Sequence, residues 1–451
     1  MLKDERLDSL AKHGANVAQF ASFDPQGNIR FARVRELPKI KTEDLKKVIS
    51  FVLERGCGSA NIRTFLPEKP DGNPFEYGLT NSEEIAAKIR AYASQGYYTI
   101  LNETIDIHDG GLSGVLFGKI MEGAPKDTPR CVEKPGCMLL PRSIGFQLIN
   151  AIYGFHFHTP YGEHCRIEFS VHPAPTGHLR DNQIIWQVDE YEDRATPQTT
   201  PQILWPNKYS EFIGDKTFGL LIAYLLGFPV PFTRVFARGV PMFNFGAEIG
   251  KKEPVWVRTA PRIQTPGRFK TKRGWLDPFE IMQKDDPDNK DIAAILIQDG
   301  LSAEYSGSAI TDYAGNIIVE GCKGYGDNFM LGTIAPDKLP QEVLGGITFI
   351  YGRLKEILND IRFEWVYDGR RIWVVQLHTG KSETSENVVY PGVPKQWIDF
   401  DPKDGLEVLR EMAKEVEGKN IGIVVRGHVG ITSHVGDILR RAKIPSYIDK
   451  R

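Results

Sequence analysis

The stretch Phe363–Gln376, FEWVYDGRRIWVVQ, reads as two strands joined by a tight turn at YDGRR, since an Asp-Gly pair flanked by β-branched and aromatic residues favours a hairpin. Glu364 and Gln376, 12 residues apart, then lie on neighbouring strands. Two oxygen donors so placed suit Mg²⁺, which takes few protein ligands and completes its shell with phosphates and water. The plainer alternative is that Glu364 is a surface strand position. The pattern recurs earlier in the chain: RIEFSVH followed by IIWQ faces RFEWVYD followed by WVVQ, with Glu168 and Glu364 separated by 196 residues. Further out, ANIRTF faces VWVRTA (Arg63 and Arg258, 195 apart), and TILNETIDIHDGGLSGVLFG faces AILIQDGLSAEYSGSAIT (Glu103 and Gln298, 195 apart). CVEKPG faces IVEGCKG, with Glu133 and Glu320 187 apart. Four segments in one order at a nearly constant offset predict that residues 1–200 and 205–380 are diverged copies of one α+β domain.

A chain of 451 residues, 41% hydrophobic and 25% charged, is long enough for two or three domains with cores of their own. The net charge of −2 gives no electrostatic reason for a nucleic-acid or membrane-surface partner. The opening MLKDERLDSLAKHG reads as a charged helix without a signal-peptide core, and no apolar run approaches the length of a bilayer span. Five scattered cysteines without a CxxC pair fit reduced thiols, so a cytoplasmic protein is expected. Two polar, Pro-containing stretches, Glu192–Ser210 and Lys381–Lys395, read as linkers. Beyond the second, residues 396–451 carry an amphipathic helix (GLEVLREMAKEVEG), a strand (IGIVV) and a second helical pattern, a small α/β domain.

Several residues in the second half suit a nucleoside triphosphate. Lys216 in IGDKTFG could place a point charge on phosphates, and Arg258 offers a fork that binds phosphate oxygens bidentately. Singly, each has a plain alternative: a solvated helix residue and an arginine paired with an acid. The glycines of GCKGYGDN could bring backbone amides to a phosphate or make only a turn. In VGITSHVGDILRRAKIPSY (Val429–Tyr447), Thr432 and Ser433 are N-cap candidates ahead of the helical spacing of Val435, Ile438, Leu439 and Ala442. His434 therefore stands at a helix start, where backbone N–H groups and the helix dipole would stabilise an anion carried on the ring. A half-buried surface histidine is the plain alternative.

In this order, GDK…GFPVPFT, VRTAP…GRF, IAAILIQDGLSAEYSG, IIVEGCKGYGDN, FEWVYDGRRIWVVQ and GITSHVGDILRRAKIPSY, the chain resembles the pyruvate phosphate dikinase and phosphoenolpyruvate synthase superfamily over about 205–451. The resemblance implies an ATP-grasp nucleotide-binding domain at 205–380, a diverged ATP-grasp-like or substrate domain at 1–200, and a short phosphohistidine swivelling-like domain at 396–451. It implies ATP contacts from Lys216, Arg258, Gln298 and Glu320, Mg²⁺ held by Glu364 and Gln376, and His434 as the phosphocarrier. Departures accompany it. Gln376-Leu377-His378-Thr379 stands where the family reads Gln-x-Arg-Pro, and GYGD, ending in Asp327, stands for GLGE. Only 17 residues follow His434, and the barrel that binds pyruvate or phosphoenolpyruvate is missing, so this chain is not expected to make phosphoenolpyruvate alone.

In the first half, Asn16 lies near where the repeat would put a lysine, so loss of ATP-type phosphate binding is expected there. Glu103, Asp106, Asp109, Arg130, Glu133 and Lys134 could form a polar substrate surface or merely cap the second copy. His156, His158, His164 and Cys165 could hold a metal, but without a second Cys pair a solvated loop is expected. The reading is a Mg²⁺- and ATP-dependent phosphotransferase of the dikinase type, passing phosphate through His434 to an unidentified small-molecule or protein acceptor, with a homo-oligomer left open. Its rivals are an ATP-grasp carboxylate ligase and a non-catalytic nucleotide sensor or assembly protein.

Overall fold

The Asp-Gly turn closes as its sequence demands: Asp368 Oδ1 accepts from the N–H groups of Arg370 and Arg371, each at 2.9 Å, and Gly369 sits at φ +86°. Strands Ile361–Tyr367 and Ile372–Thr379 pair antiparallel around it, with Glu364 directly opposite Gln376. In this computed structural model the described residues are 1–450 except 38–43, 70–72, 130, 131, 133, 160, 161, 191–201, 250–252, 264–268, 270 and 381. The chain divides into two units, Met1–Pro201 and Gln202–Arg451, both mixed α/β with largely antiparallel sheets.

In the first unit, one sheet runs in space as Ile29–Arg33, Phe20–Phe23, Tyr98–Glu103, Ala60–Phe65, Phe75–Leu79. Helices Leu45–Arg55 and Ser82–Ser94 cover one face, where Ala21, Ile62 and Leu101 meet Val52 and Ile89. Alternation along the strands leaves Arg63 and Asn102 on the opposite face. The second sheet runs Asp181–Glu190, Cys165–Thr176, Leu112–Phe117, Ile120–Ala124, Met138–Pro141. The charged helix Lys3–Lys12 is not solvated all round: Asp4 and Asp8 are buried and paired with Arg30 and Arg33 at 2.9 and 2.6 Å.

The second unit has a sheet in the order Phe243–Phe245, Thr233–Ala237, Ile292–Gly300, Glu253–Pro261, Lys272–Arg273. A second sheet runs Ile317–Lys323, Tyr305–Thr311, Ile361–Tyr367, Ile372–Thr379. Taken in chain order, the first sheets of the two units have the same strand order, and so do four strands of the second sheets. A bulge follows the Glu168–Gln187 pair in one unit and the Glu364–Gln376 pair in the other. Residues 396–449 form a third sheet with the parallel strands Gln396–Phe400, Ile421–Arg426 and Ser446–Asp449. Helices Gly405–Val416 and His434–Arg441 connect them, over a core that includes Leu409, Ile423, Val425, Leu439 and Ile448.

Register corrects three of the sequence pairings. Arg63 faces Ile100 and Arg258 faces Leu296, so the position matching Gln298 is Asn102, not Glu103. Glu103 is buried and accepts from the backbone and side-chain nitrogens of Gln19, both at 2.8 Å. Glu320 faces Ser308, itself opposite Glu364; by the same path Glu168 leads through Val115 to Glu122, whereas Glu133 lies outside the described residues, as does Arg130. Asn16 starts no helix. Its amide donates to the carbonyls of Thr176 and Gln183 at 2.8 Å and its oxygen accepts from Leu179 N at 2.8 Å, which makes it a backbone brace. A slip of one residue turns a strand side chain to the other face, and loop gaps hide such slips in a sequence comparison.

The stretch 381–395 is more than a linker: Val388–Tyr390 pairs antiparallel with Ser446–Asp449 at the sheet edge. Residues 192–201 of the first linker and the GRF motif residues 267 and 268 lie outside the described residues. Among the described residues no helix is long and apolar enough to cross a membrane.

Candidate functional site

Helix Asp215–Leu225 begins at Gly214, whose φ of +89° favours glycine and where a Cβ would lie 2.7 Å from Ala260 Cβ. That close approach sets the first turn, and Lys216 with it, beside the strand that carries Arg258. Lys216 is half-buried, and burial, followed by the repulsion of Arg258, pushes its pKa down to about 8 against the pull of Glu364 and Asp215. Arg258 Nη1 lies 3.4 Å from Glu364 Oε2 and 3.4 Å from Gln376 Oε1, while its Nε has no partner among the described residues. Burial alone would raise the Glu364 pKa; Arg258, then His434, Arg362 and Lys216 outweigh it and hold the carboxyl below its usual range. Three residues chosen from sequence, Lys216, Arg258 and His434, thus converge on one carboxylate, joined by Arg362.

A cleft open to solvent lies beside them. Arg258, Gln298 and Glu364 line its polar side, with Asp327 of the GYGD turn, and Leu301, Val366 and Val375 its apolar side. Gln298 is 1% exposed and, among the described residues, donates only a long 3.4 Å contact to Thr233 Oγ1. Glu320 stands apart from this lining and instead accepts from Thr432 N at 2.9 Å, tethering the loop ahead of His434.

Sequence reasoning missed the support behind Gln376. Its Nε2 lies 2.7 Å from His378 Nε2, and His378 Nδ1 lies 3.0 Å from Asp215 Oδ2, which also accepts a hydrogen bond on its other oxygen from the Trp205 indole. Burial holds the His378 pKa low, so the ring is neutral, with its proton on the Asp215 side. A neutral Nε2 must accept, so the Gln376 amide donates there and its oxygen faces Arg258. The signal was present in Gln376-Leu377-His378, because residues i and i+2 share a strand face.

His434 opens helix His434–Arg441, with Ser433 at the N-cap position but making no side-chain cap. The helix is held by Asp437, which pairs with Arg362 and accepts from Arg440 Nη2 at 2.6 Å. Against the rise that burial would cause, Arg362, His434 and Arg440 keep the Asp437 carboxyl far below its usual range. His434 Nδ1 lies 3.4 Å from Asp437 Oδ2, and Nε2 has no partner among the described residues. Thr432 Oγ1 and Ser433 Oγ are fully buried and also lack partners among them. Gly430 packs on Phe329, where a Cβ would meet the ring at 2.5 Å, so the histidine loop sits against the segment that follows the GYGD turn.

Among the described residues, no group of three or more His, Cys, Asp or Glu side chains is arranged to hold a metal. The Glu364–Gln376 pair offers one carboxylate and one carboxamide oxygen, a set that fits Mg²⁺ when phosphate oxygens complete the shell. The unpartnered Arg258 Nε and the half-buried Lys216 fit the phosphates themselves.

No protein-family profile matches the chain, and no curated protein matches it. Among solved structures it is similar to the D-alanine–D-alanine ligase of Helicobacter pylori, with 9% identity and a TM-score of 0.25, over 38% of this chain and 53% of that one. It is similar to the VanG D-Ala:D-Ser ligase of Enterococcus faecalis, with 12% identity and a TM-score of 0.25, over 37% and 52%. It is also similar to purK, N5-carboxyaminoimidazole ribonucleotide synthetase, in its ADP complex, with 14% identity and a TM-score of 0.25, over 39% and 46%. The chain spans about half the length of these structures, and likenesses at this level assign no activity to it.

Proposed function

We propose that the second unit is an ATP- and Mg²⁺-dependent enzyme of the ATP-grasp type, with residues 205–380 binding nucleotide and 396–451 presenting His434 as a transient phosphoryl acceptor. The observation that carries this reading is the convergence of Lys216, Arg258 and His434 on Glu364 beside a cleft with polar and apolar lining. The apolar side at Leu301, Val366 and Val375 would take the base. Lys216 and Arg258 would neutralise the phosphates, and Gln376, oriented by His378, would present its oxygen. A Mg²⁺ ion held by Glu364 and Gln376 would supply charge neutralisation and alignment. The His434 Nε2 lone pair would attack the β-phosphorus, an N–P bond forming as the P–O bond to the departing AMP breaks, and water would then cleave the pyrophosphoryl group, releasing phosphate and leaving one phosphate on the ring. The buried hydroxyls of Thr432 and Ser433 would then find acceptors in the transferred oxygens. A small molecule or protein would take the phosphate from His434. A cytoplasmic location and the descent of residues 1–200 from a copy of the second unit belong to the same proposal; the shared strand orders and the shared bulge support that descent.

One observation favours a second reading, an ATP-grasp ligase that activates a carboxylate as an acyl phosphate. His378, locked to Asp215 and Gln376, occupies the place of the arginine in the dikinase pattern, which removes a phosphate contact. Intact-protein mass spectrometry after incubation with Mg-ATP, alongside nucleotide analysis, separates the two. A one-phosphate, acid-labile adduct absent from His434→Ala, with AMP as product, supports histidine transfer. ADP formation that survives His434→Ala supports the ligase, and no turnover in either case removes both.

A further inference from the structure

The first unit repeats the polar constellation of the second, one residue at a time. Strand Phe20–Phe23 begins opposite Asn102, as Thr233–Ala237 begins opposite Gln298, and 17 residues before those starts stand Lys3 and Lys216. Lys3, not Asn16, is therefore the counterpart of Lys216. Register then matches Arg63 with Arg258, Asn102 with Gln298, Glu168 with Glu364, Gln187 with Gln376, and Arg166 with Arg362. The contacts match too. Arg63 Nη1 lies 3.3 Å from Glu168 Oε2 and 2.6 Å from Gln187 Oε1, as Arg258 reaches Glu364 and Gln376. Arg166 Nη1 donates to Glu168 Oε1 at 2.8 Å, and Lys3 Nζ lies 3.9 Å from Asp189. Asn102 is 4% exposed and its Oδ1 has no partner among the described residues, nor has Arg63 Nε. A buried oxygen and a buried guanidinium N–H without partners suit a cation and an anion, respectively.

The apolar end differs. The shared bulge puts Trp186 where the second unit has Val375, and Ser170 where it has Val366. Ile105, three residues after Asn102, stands where Leu301 follows Gln298. Trp186 is buried with Ala18, Ile105 and Ile184, and its indole N–H donates to Ser170 Oγ at 2.7 Å. Ser170 Oγ lies 2.7 Å from His172 Nε2, and His172 Nδ1 lies 2.6 Å from Asp109. This hydrogen-bonded chain fixes a large ring in the position corresponding to the nucleotide base.

We propose that the first unit holds a second binding site, for inorganic pyrophosphate with a divalent cation, in which Lys3, Arg63, Glu168 and Gln187 take the phosphate and metal and Trp186 excludes a nucleoside. The assignment rests on the nucleotide reading of the second unit, whose polar residues it matches. Binding of pyrophosphate with Mg²⁺ to the full chain is measured by titration calorimetry, with and without a non-hydrolysable ATP analogue. Two pyrophosphates per chain are expected: one displaced by the analogue and lost in Arg258→Ala, the other indifferent to the analogue and lost in Arg63→Ala. Lys3→Ala, in the first turn of helix Lys3–Lys12 and partly exposed, should weaken the second by about tenfold or more, the scale of one charge-assisted contact, and it carries the test if Arg63→Ala fails to fold. Trp186→Val should bring the analogue into competition at this site, and continued indifference would overturn the role given to Trp186. A single pyrophosphate, lost in Arg258→Ala and untouched by Arg63→Ala and Lys3→Ala, overturns the second site and leaves the nucleotide reading intact. Binding sensitive to Arg63 but not Arg258 would sink the nucleotide reading instead, and no binding would sink both.

Discussion

Replacing Thr432 by Val and Ser433 by Ala should stabilise the protein while impairing phosphoryl transfer. Both hydroxyls are fully buried with no partner among the described residues, and Ser433, though at the N-cap position, makes no capping bond that the change would lose. A buried hydroxyl without a hydrogen bond costs roughly 1–3 kcal/mol in proteins, and Thr→Val keeps the shape. The double variant should gain about 2 kcal/mol or more. For a unit of this size that is a rise of about 4–8 °C in its melting transition. The same variant, incubated with Mg-ATP, should show less phosphoryl adduct on His434 by intact-mass analysis, because the acceptor oxygens that the hydroxyls await are those of the transferred group. Calorimetry of the ligand-free variant supplies the other half of the test. If the variant melts lower than the parent, the hydroxyls have partners in the folded protein; if adduct yield is unchanged, they do not hold the phosphate. Either result refutes the reasoning.

The depressed Lys216 pKa gives nucleotide binding a pH dependence. Affinity should be highest while the lysine is charged and fall by up to about tenfold per unit as pH rises through about 8, with proton uptake in calorimetry; a flat profile, or one unchanged in Lys216→Met, counts against the contact. The same shift makes the unfolded chain bind more protons between about pH 8 and 10.5, so this residue's destabilising effect is present below that window and fades as pH rises across it. Arg362→Met would leave Asp437, 2% exposed, without its strongest partner and should cost about 3–5 kcal/mol in denaturant unfolding. In the parent, the stability that Asp437 contributes is complete above about pH 4 and lost as pH falls below it; the variant, already destabilised at neutral pH, should lose less over that same fall. His378→Leu frees the Gln376 amide and should raise the Mg²⁺ requirement by about 10–100-fold with metal-free nucleotide affinity preserved, readable by metal titration against a fluorescent nucleotide.

Local patterns were enough to read several elements of the second unit. The Asp-Gly turn placed Glu364 and Gln376 side by side, and the hydroxyl residues and apolar spacing around His434 marked a helix start, because turn chemistry and 3.6-residue periodicity act over a few residues. What the tertiary structure alone decided depends on pairing between distant strands. It turned Glu320 toward Thr432, it put His378 and Asp215 behind Gln376, and it set Asn102 and Gln298 at the same register opposite the starts of Phe20–Phe23 and Thr233–Ala237. A strand alternates faces with a period of two, so the partner strand and its register decide whether a carboxylate meets the cavity or the core. No local propensity carries that information, and the loops that set the register differ in length between the two halves of this chain.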